Sequence, residues 1–312
     1  MSFSEEVKHE LIRKNSDNKK FQVAELAALL RMNGTIQIQD NSLAVKIKMF
    51  YGDLARKIYS LLKNEYNFGV DIIVRKRMHF DREQIYELRL HPQEGLEEFL
   101  QNLGFISKDN QFIFKIKESF IKDEESRKGY LRGAFLGGGS VNSPRSEYHL
   151  EFRCEYRRQA EDLLRILVYF DLEGRITEHQ EKQVVYFKSY NDVVKILNLL
   201  GAHQALLEME GVQILKEVKN NVNRRVNCET ANLDKTVNAA LSQLEDITLI
   251  EEEHGLDQLS SSLKEIAKLR KKNPYASLKE LGEMLDPSLS KSGVNHRIRR
   301  IKKIARQIRG EE

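Results

Sequence analysis

Between Ser288 and Arg309 the chain carries eight basic residues and no acidic one. Such a run is either a self-repelling solvated tail or a surface built for a polyanion, and its apolar pattern separates the two. Val294, Ile298, Ile301, Ala305 and Ile308 fall within a narrow arc at about 100° per residue, which makes the segment an amphipathic helix opening near Lys291. The face opposite Val294 and Ile298 holds Ser292, His296, Arg299 and Lys303, flanked by Asn295, Arg300 and Arg306. These side-chain types can read a DNA major groove: Arg pairs with guanine O6 and N7, Asn with adenine N6 and N7, and Ser and Lys meet phosphates or base edges.

A basic amphipathic helix by itself also suits RNA, an anionic membrane or an acidic protein. The residues before it favour DNA. Ser277-Leu278-Lys279-Glu280 is a capping-box pattern, in which the Ser hydroxyl accepts from the N3 amide and the Glu carboxylate reaches back to the cap amide. The helix it opens points Leu278, Leu281 and Leu285 inward and stops at Asp286-Pro287, because proline disfavours helix at the residue before it. A short turn through Ser288, Leu289 and Ser290 leads to the basic helix. The pairing predicts a helix-turn-helix over about 277–304, with Ser290, Lys291, Ser292, Asn295, His296, Arg299, Arg300 and Lys303 facing DNA. Gly293 in the first turn costs up to ~1 kcal/mol relative to Ala and would admit a close approach to phosphate.

Other chemistries lack their residues. Gly137-Gly138-Gly139 ends a helix and precedes a strand, whereas phosphate loops follow a strand and open a helix, so no nucleotide site is expected there. The eight histidines are scattered without paired ligand spacing, and Ser126, Ser140 and Ser143 have no nucleophile-elbow context. Neither a metal, a cofactor nor catalytic activity is expected. Cys154 and Cys228 cannot build a disulfide framework and are expected as reduced thiols.

The elements before this segment alternate helix and strand in an order that occurs twice. Phe21 to Met32 is helical, Ile36 to Gln39 and Leu43 to Met49 alternate as strands, about Asp53 to Tyr66 is helical, Val70 to Arg77 and Ile85 to Leu90 are strands, and Leu96 to Leu103 is a short helix. From Tyr130 the order repeats: helix Leu131 to Gly137, strands near Val141 and Tyr148 to Tyr156, helix Arg158 to Phe170, strands Arg175 to His179 and Val184 to Lys188, helix Val193 to Leu200. This duplicated α-β-β-α-β-β-α unit predicts an α+β domain over 1–220, with pseudo-repeats at about 19–104 and 126–202. The Asn-rich stretch 221–232 is read as a connector, and 233–312 as an all-α DNA-binding domain.

Two nonapeptides, Leu26-Ala27-Ala28-Leu29-Leu30-Arg31-Met32-Asn33-Gly34 and Leu131-Arg132-Gly133-Ala134-Phe135-Leu136-Gly137-Gly138-Gly139, occupy the same place in each pass. They resemble the LAGLIDADG motif of homing endonucleases, whose two motif helices pack through small residues, a role open to Ala28, Gly133 and Gly137. The resemblance places Asn33 and Gly138 where that family carries its metal-binding carboxylates. Phosphodiester hydrolysis needs carboxylates to hold hard cations, so nuclease activity is not expected. Lys46, Lys48, Arg75 and Arg77 leave one strand pair basic, whereas Glu151, Arg153 and Glu155 alternate in the second half. The unit reads as a retired nuclease scaffold for weak DNA or protein contact.

The whole chain resembles the WhiA family of bacterial regulators. The match is specific in the two nonapeptides and their flanks, in Asn223 to Thr236, and in Lys279-Glu280-Leu281-Gly282-Glu283 with Ser290 to Arg297. The resemblance implies a sequence-specific duplex-DNA-binding transcription regulator linked to cell division and, in sporulating bacteria, to sporulation. It also implies contact with RNA polymerase holoenzyme or another regulator. The alternative is a nucleoid-associated or protein-docking factor that acts on division or chromosome organisation without promoter regulation. A cytoplasmic, nucleoid-associated protein is expected, with its oligomeric state left open and a monomer favoured.

Composition agrees with a folded chain of this kind. The 312 residues are 40% hydrophobic and 31% charged, without an apolar run long enough to span a membrane and with an acidic rather than signal-like N-terminus. The net charge of +4 conceals an asymmetry: Gly255 to Glu312 holds 14 basic and 7 acidic residues, and the preceding part 37 and 40.

Overall fold

The computed structural model describes residues 1–39, 42–76 and 84–311, and Arg77 lies outside them. The chain divides into two compact units, Met1–Leu215 and Lys216–Glu312.

The first unit opens with α1 (Phe3–Arg13), which the duplicated pattern does not contain. Its signal is nonetheless local. Ser2 and Glu5 form a capping box, and Phe3, Val7, Leu11 and Ile12 bury one face. Then come α2 (Lys19–Asn33), β1 (Gly34–Gln39), β2 (Ser42–Met49), α3 (Gly52–Asn64), β3 (Asp71–Lys76), β4 (Gln84–Leu90) and α4 (Leu96–Asn102). The second pass gives α5 (Glu124–Gly138), β5 (Gly139–Val141), β6 (Leu150–Cys154), α6 (Arg157–Tyr169), β7 (Arg175–His179), β8 (Lys182–Phe187) and α7 (Tyr190–Leu200). Each pass builds a four-stranded antiparallel sheet, in the orders β1-β2-β4-β3 and β5-β6-β8-β7. The shared order makes the two halves copies of one unit. α5 begins seven residues earlier than its apolar spacing marks, at the Asp123 cap, whose side chain accepts from Ser126 N.

The helices α2 and α5 form the axis of this unit. A Cβ at Gly129, Gly133 or Gly137, spaced four apart on α5, would come within 3.0 Å of α2 atoms belonging to Phe21, Glu25 and Met32. Glycine therefore sets the closeness of the pair. Buried between the helices, Arg132 meets Glu25 through two parallel hydrogen bonds of 2.9 and 2.8 Å. One apolar core underlies both halves, with Leu26, Leu30, Ile47, Phe135 and Phe152 each at most 2% exposed.

α8 (His203–Glu253) crosses from the first unit into the second. The stretch 221–232, polar enough to read as a connector, is helical and exposed throughout. Its asparagines meet no Gly or Pro between Val212 and Glu253, so nothing in the backbone interrupts the ladder. The second unit adds α9 (Ser261–Lys272), α10 (Leu278–Glu283) and α11 (Lys291–Arg309) around a core of Ile247, Ile250, Ile266, Leu281, Val294 and Ile301. No helix among the described residues is long and apolar enough to cross a membrane.

Candidate nucleic-acid interface

The second unit assembles its exposed basic face from two capped helices and a tight turn. Ser277 accepts from Glu280 N at 3.3 Å, and the Glu280 carboxylate accepts from Ser277 N at 2.7 Å, so both halves of the capping box are made. The backbone bonds at Ser277 hold the exposed Glu280 carboxyl below the usual carboxylate range. Leu281 and Leu285 are buried and Leu278 is half-buried. The turn is closed by Leu289 N donating to the Gly282 carbonyl at 2.9 Å. A Cβ on Gly282 would lie within 3.0 Å of the Leu289 carbonyl oxygen, so glycine is what lets the chain double back so tightly.

α11 starts at Ser290, whose hydroxyl accepts from Gly293 N at 3.3 Å and lies 3.0 Å from the Ser292 hydroxyl. Val294, Ile298, Ile301 and Ala305 are buried, and Ile308 is half-buried. Opposite them Ser292, His296, Arg299 and Lys303 are exposed, Ser290 and Lys291 at the helix start and Arg300 on the flank are exposed too, and Asn295 is half-buried on the other flank. The predicted set thus falls on one helix and its cap. Lys291, Arg299, Arg300 and Lys303 make no ion pair among the described residues.

Two further α11 arginines anchor the helix through ion pairs to α8 and α9. Arg297 donates to the Ser262 carbonyl at 3.3 Å and approaches Glu265 at 3.4 Å, and Arg309 pairs at 2.8 Å with Asp246, whose side chain is 3% exposed. On α9 the buried Arg270 donates to the carbonyls of Asn273, Pro274 and Ala276 and thereby shapes the loop that delivers Ser277. These anchors are not apparent from the sequence, because Arg297 and Arg309 look like members of the basic run and only the fold brings Glu265 and Asp246 to them.

In the first unit, α2 and α5 end at equivalent residues. Gly34 and Gly139 cap them in the same extended conformation, with φ of −90° and −83°. Asn33 donates from Nδ2 to the Lys48 carbonyl at 2.9 Å, and its Oδ1 is buried without a partner. Gly138 has no side chain to offer, and no group of three His, Cys, Asp or Glu able to hold a metal occurs among the described residues.

The outer faces of the two sheets differ. On the first, the register places Lys46, Lys48, Arg75 and Arg89 around Glu87. The hydrogen bond from Arg89 at 2.5 Å holds the Glu87 carboxyl below its usual range against its burial, and the charges of Arg75 and Lys48 add to this. On the second, burial opposes ionisation of Glu151, but hydrogen bonds from His149 and Arg153 outweigh it and lower its pKa. Lys182 pairs with Glu155 at 3.1 Å. The first sheet thus keeps an excess of cations, and the second pairs most of its own.

A duplicated LAGLIDADG-type scaffold whose two helix-end positions carry no carboxylate, on one chain with a helix-turn-helix, defines the class of protein: a degenerate LAGLIDADG-like fold with a helix-turn-helix domain. Three family profiles match in series: the WhiA N-terminal LAGLIDADG-like domain at residues 19–106, the WhiA LAGLIDADG-like domain at 127–219 and the WhiA C-terminal HTH domain at 222–305. The chain belongs to the WhiA family. It is 60% identical over the full length of both chains to a protein of Halothermothrix orenii named "Probable cell division protein WhiA". It is 42% identical to the similarly named protein of Clostridium acetobutylicum, covering 100% of this chain and 99% of the relative. Among solved structures it resembles full-length WhiA from Thermotoga maritima, at 27% identity and a TM-score of 0.62, covering 98% of this chain and 99% of the other.

Proposed function

We propose that the chain is a sequence-specific duplex-DNA-binding transcription regulator that acts in cell division, and in sporulation where the host sporulates. The observation that carries this reading is the exposed line Ser292, His296, Arg299 and Lys303 on a capped helix, which follows a second capped helix across a glycine-dependent turn. That arrangement supports insertion of α11 into the major groove, with Arg299 and Asn295 reading bases and Lys291, Arg300 and Lys303 meeting phosphates. The names of the cell-division relatives support the process.

In this reading the first unit has no nuclease activity. Asn33 and Gly138 supply no carboxylate, and hydrolysis of a phosphodiester needs charged oxygen ligands for its cations. The first unit serves as a scaffold or docking surface, with RNA polymerase holoenzyme or another regulator as its partner, and the protein works at the nucleoid. Genome-wide mapping of bound DNA, comparing the parent with Arg299→Ala, tests the proposal. Discrete promoter peaks lost in the variant support it, and uniform coverage unchanged by the substitution overturns it.

A further inference from the structure

The part of α8 that belongs to the second unit carries a repeat that the fold of one chain leaves unused. From Val218 to Leu244 an apolar residue recurs every three or four positions, and only Glu229 interrupts the series. Val222, Leu233 and Leu244 stand 11 residues apart, as do Val226 and Val237. An 11-residue period keeps a stripe on one side of a nearly straight helix, the arrangement of helices that pack along their length. Beyond Leu244 the same side of α8 enters the core of the second unit at Ile247. Val218, Val222, Val226 and Leu233, by contrast, are each more than half exposed. The stripe is thus covered at one end and bare over about six turns, and a contiguous bare stripe marks an interaction surface.

The spacing of the stripe identifies its occupant, because it reads the same in both directions about the point between Glu229 and Thr230. Val226 and Leu233, Val222 and Val237, and Val218 and Leu241 stand at equal distances from that point. A two-fold axis there lays two antiparallel copies of α8 together with Val226 of one copy beside Leu233 of the other, and every contact occurs twice. Such self-complementarity is what a two-fold interface requires, and an unrelated partner helix needs none of it. The one polar step lies at the axis. Each Glu229 already accepts from Arg225 of its own chain at 3.0 Å, so the axis brings together two ion pairs rather than two bare carboxylates.

We propose that two copies of this chain pair through the Val218 to Leu241 stripe of α8, antiparallel about Glu229. From Val218 to Leu241 the strip is roughly 35 Å long, and two helices in contact over that length bury on the order of 1,000 Å2, the least that a specific interface needs. Pairing is therefore concentration-dependent, with its midpoint in the micromolar range. The proposal is independent of duplex reading by α11.

The test is sedimentation velocity of the full chain, without DNA, across about 1–100 μM. The parent should pass from monomer to dimer. Val222→Glu with Leu233→Glu should raise the dissociation constant at least about tenfold, since both place carboxylates in the seam. Both side chains are exposed in the single chain, so the melting temperature should stay near that of the parent. Ala231→Glu, on the opposite side of α8, should leave pairing unchanged. Cross-linking reads the direction: in a Cys228→Ser background, a mixture of Val226→Cys and Leu233→Cys chains should join by a short bis-maleimide faster than either chain joins its own kind. A parent that stays monomeric up to about 100 μM overturns the proposal and leaves the stripe to a different protein. Equal pairing by the Val222→Glu and Leu233→Glu double variant, equal disruption by Ala231→Glu, or preferential joining of like with like overturns it as well.

Discussion

Gly138 packs against the backbone of Arg153 so closely that a Cβ would lie 2.5 Å from the Arg153 carbonyl oxygen. Main chain thus fills the space that a side chain at position 138 would need. At the partner position, Asn33 uses its amide nitrogen to hold the Lys48 carbonyl, a donor role that a carboxylate cannot perform. Both positions hold main chain in place, one by a hydrogen bond and the other by close packing.

Restoring the acids should therefore cost stability without creating an enzyme. Gly138→Asp forces an overpacked backbone contact worth about 1–3 kcal/mol, and Asn33→Asp replaces a hydrogen bond with two facing acceptors at a similar cost. The double variant is expected to melt lower and to leave supercoiled plasmid intact in Mg2+ or Mn2+. Metal-dependent cleavage by the purified variant would overturn this account of the two positions.

Legibility in the sequence followed the range of the interactions. The capping box at Ser277, the arc from Val294 to Ile308 and the alternation in the strands are local, and each is visible in a window of a few residues. The duplication was legible because the same local order recurs. What the sequence concealed depends on contacts distant along the chain. Arg297 and Arg309 belong to the basic run by composition, yet they reach Glu265 and Asp246. Gly129 is one glycine among many until α2 lies beside it, and the aromatic cluster of Phe114 and Tyr156 joins residues from the inter-repeat segment and the start of α6. The helical continuity of 221–232 was obscured for another reason: asparagine biases a segment toward turns only where the backbone has an alternative.

The exposed face of α11 predicts two kinds of mutational signature. Arg299→Ala should relax specificity at one base position, at a cost of about 1–3 kcal/mol on the preferred sequence and little on others. Lys303→Ala should weaken all sequences alike and lower the slope of log K against log salt by about 0.9. Titration of the parent and both variants on matched and scrambled duplexes at three salt concentrations separates them. A uniform loss for Arg299→Ala would reassign it to the backbone.

The turn between α10 and α11 makes a separate prediction. Gly282→Ala drives a methyl against the Leu289 carbonyl and crowds Val294 Cγ2, which a Cβ would approach to 3.2 Å. Opening the turn should cost about 1–3 kcal/mol and tilt α11 away from its partner helix. Duplex affinity should fall for every sequence, with specificity preserved, because the reading side chains are untouched. Loss of specificity with unchanged stability would contradict a purely geometric role for Gly282.

Lys8 links the first unit's stability to pH. Its side chain is buried between the rings of Tyr51 and Phe135, with Nζ 5.4 and 5.9 Å from their centres, and burial lowers its pKa from 10.5 to about 8 although Glu5 opposes the shift. A base with a lowered folded-state pKa binds its proton more weakly in the native chain than in the unfolded one. Stability from this group is therefore complete above about 10.5 and is lost as pH falls through about 8. Lys8→Met keeps the packing and removes the buried charge, so at pH 7 it should stabilise the protein by about 1–3 kcal/mol after the lost ring contacts are counted. The advantage should shrink steadily between pH 8 and 10.5, as native Lys8 sheds its proton ahead of the unfolded chain. Denaturant unfolding of parent and variant across that range reads the difference directly, and cancels the titration of every other group. A gap that stays constant with pH would place the proton elsewhere, and a destabilised variant at pH 7 would mean that the rings and Glu5 outweigh the burial.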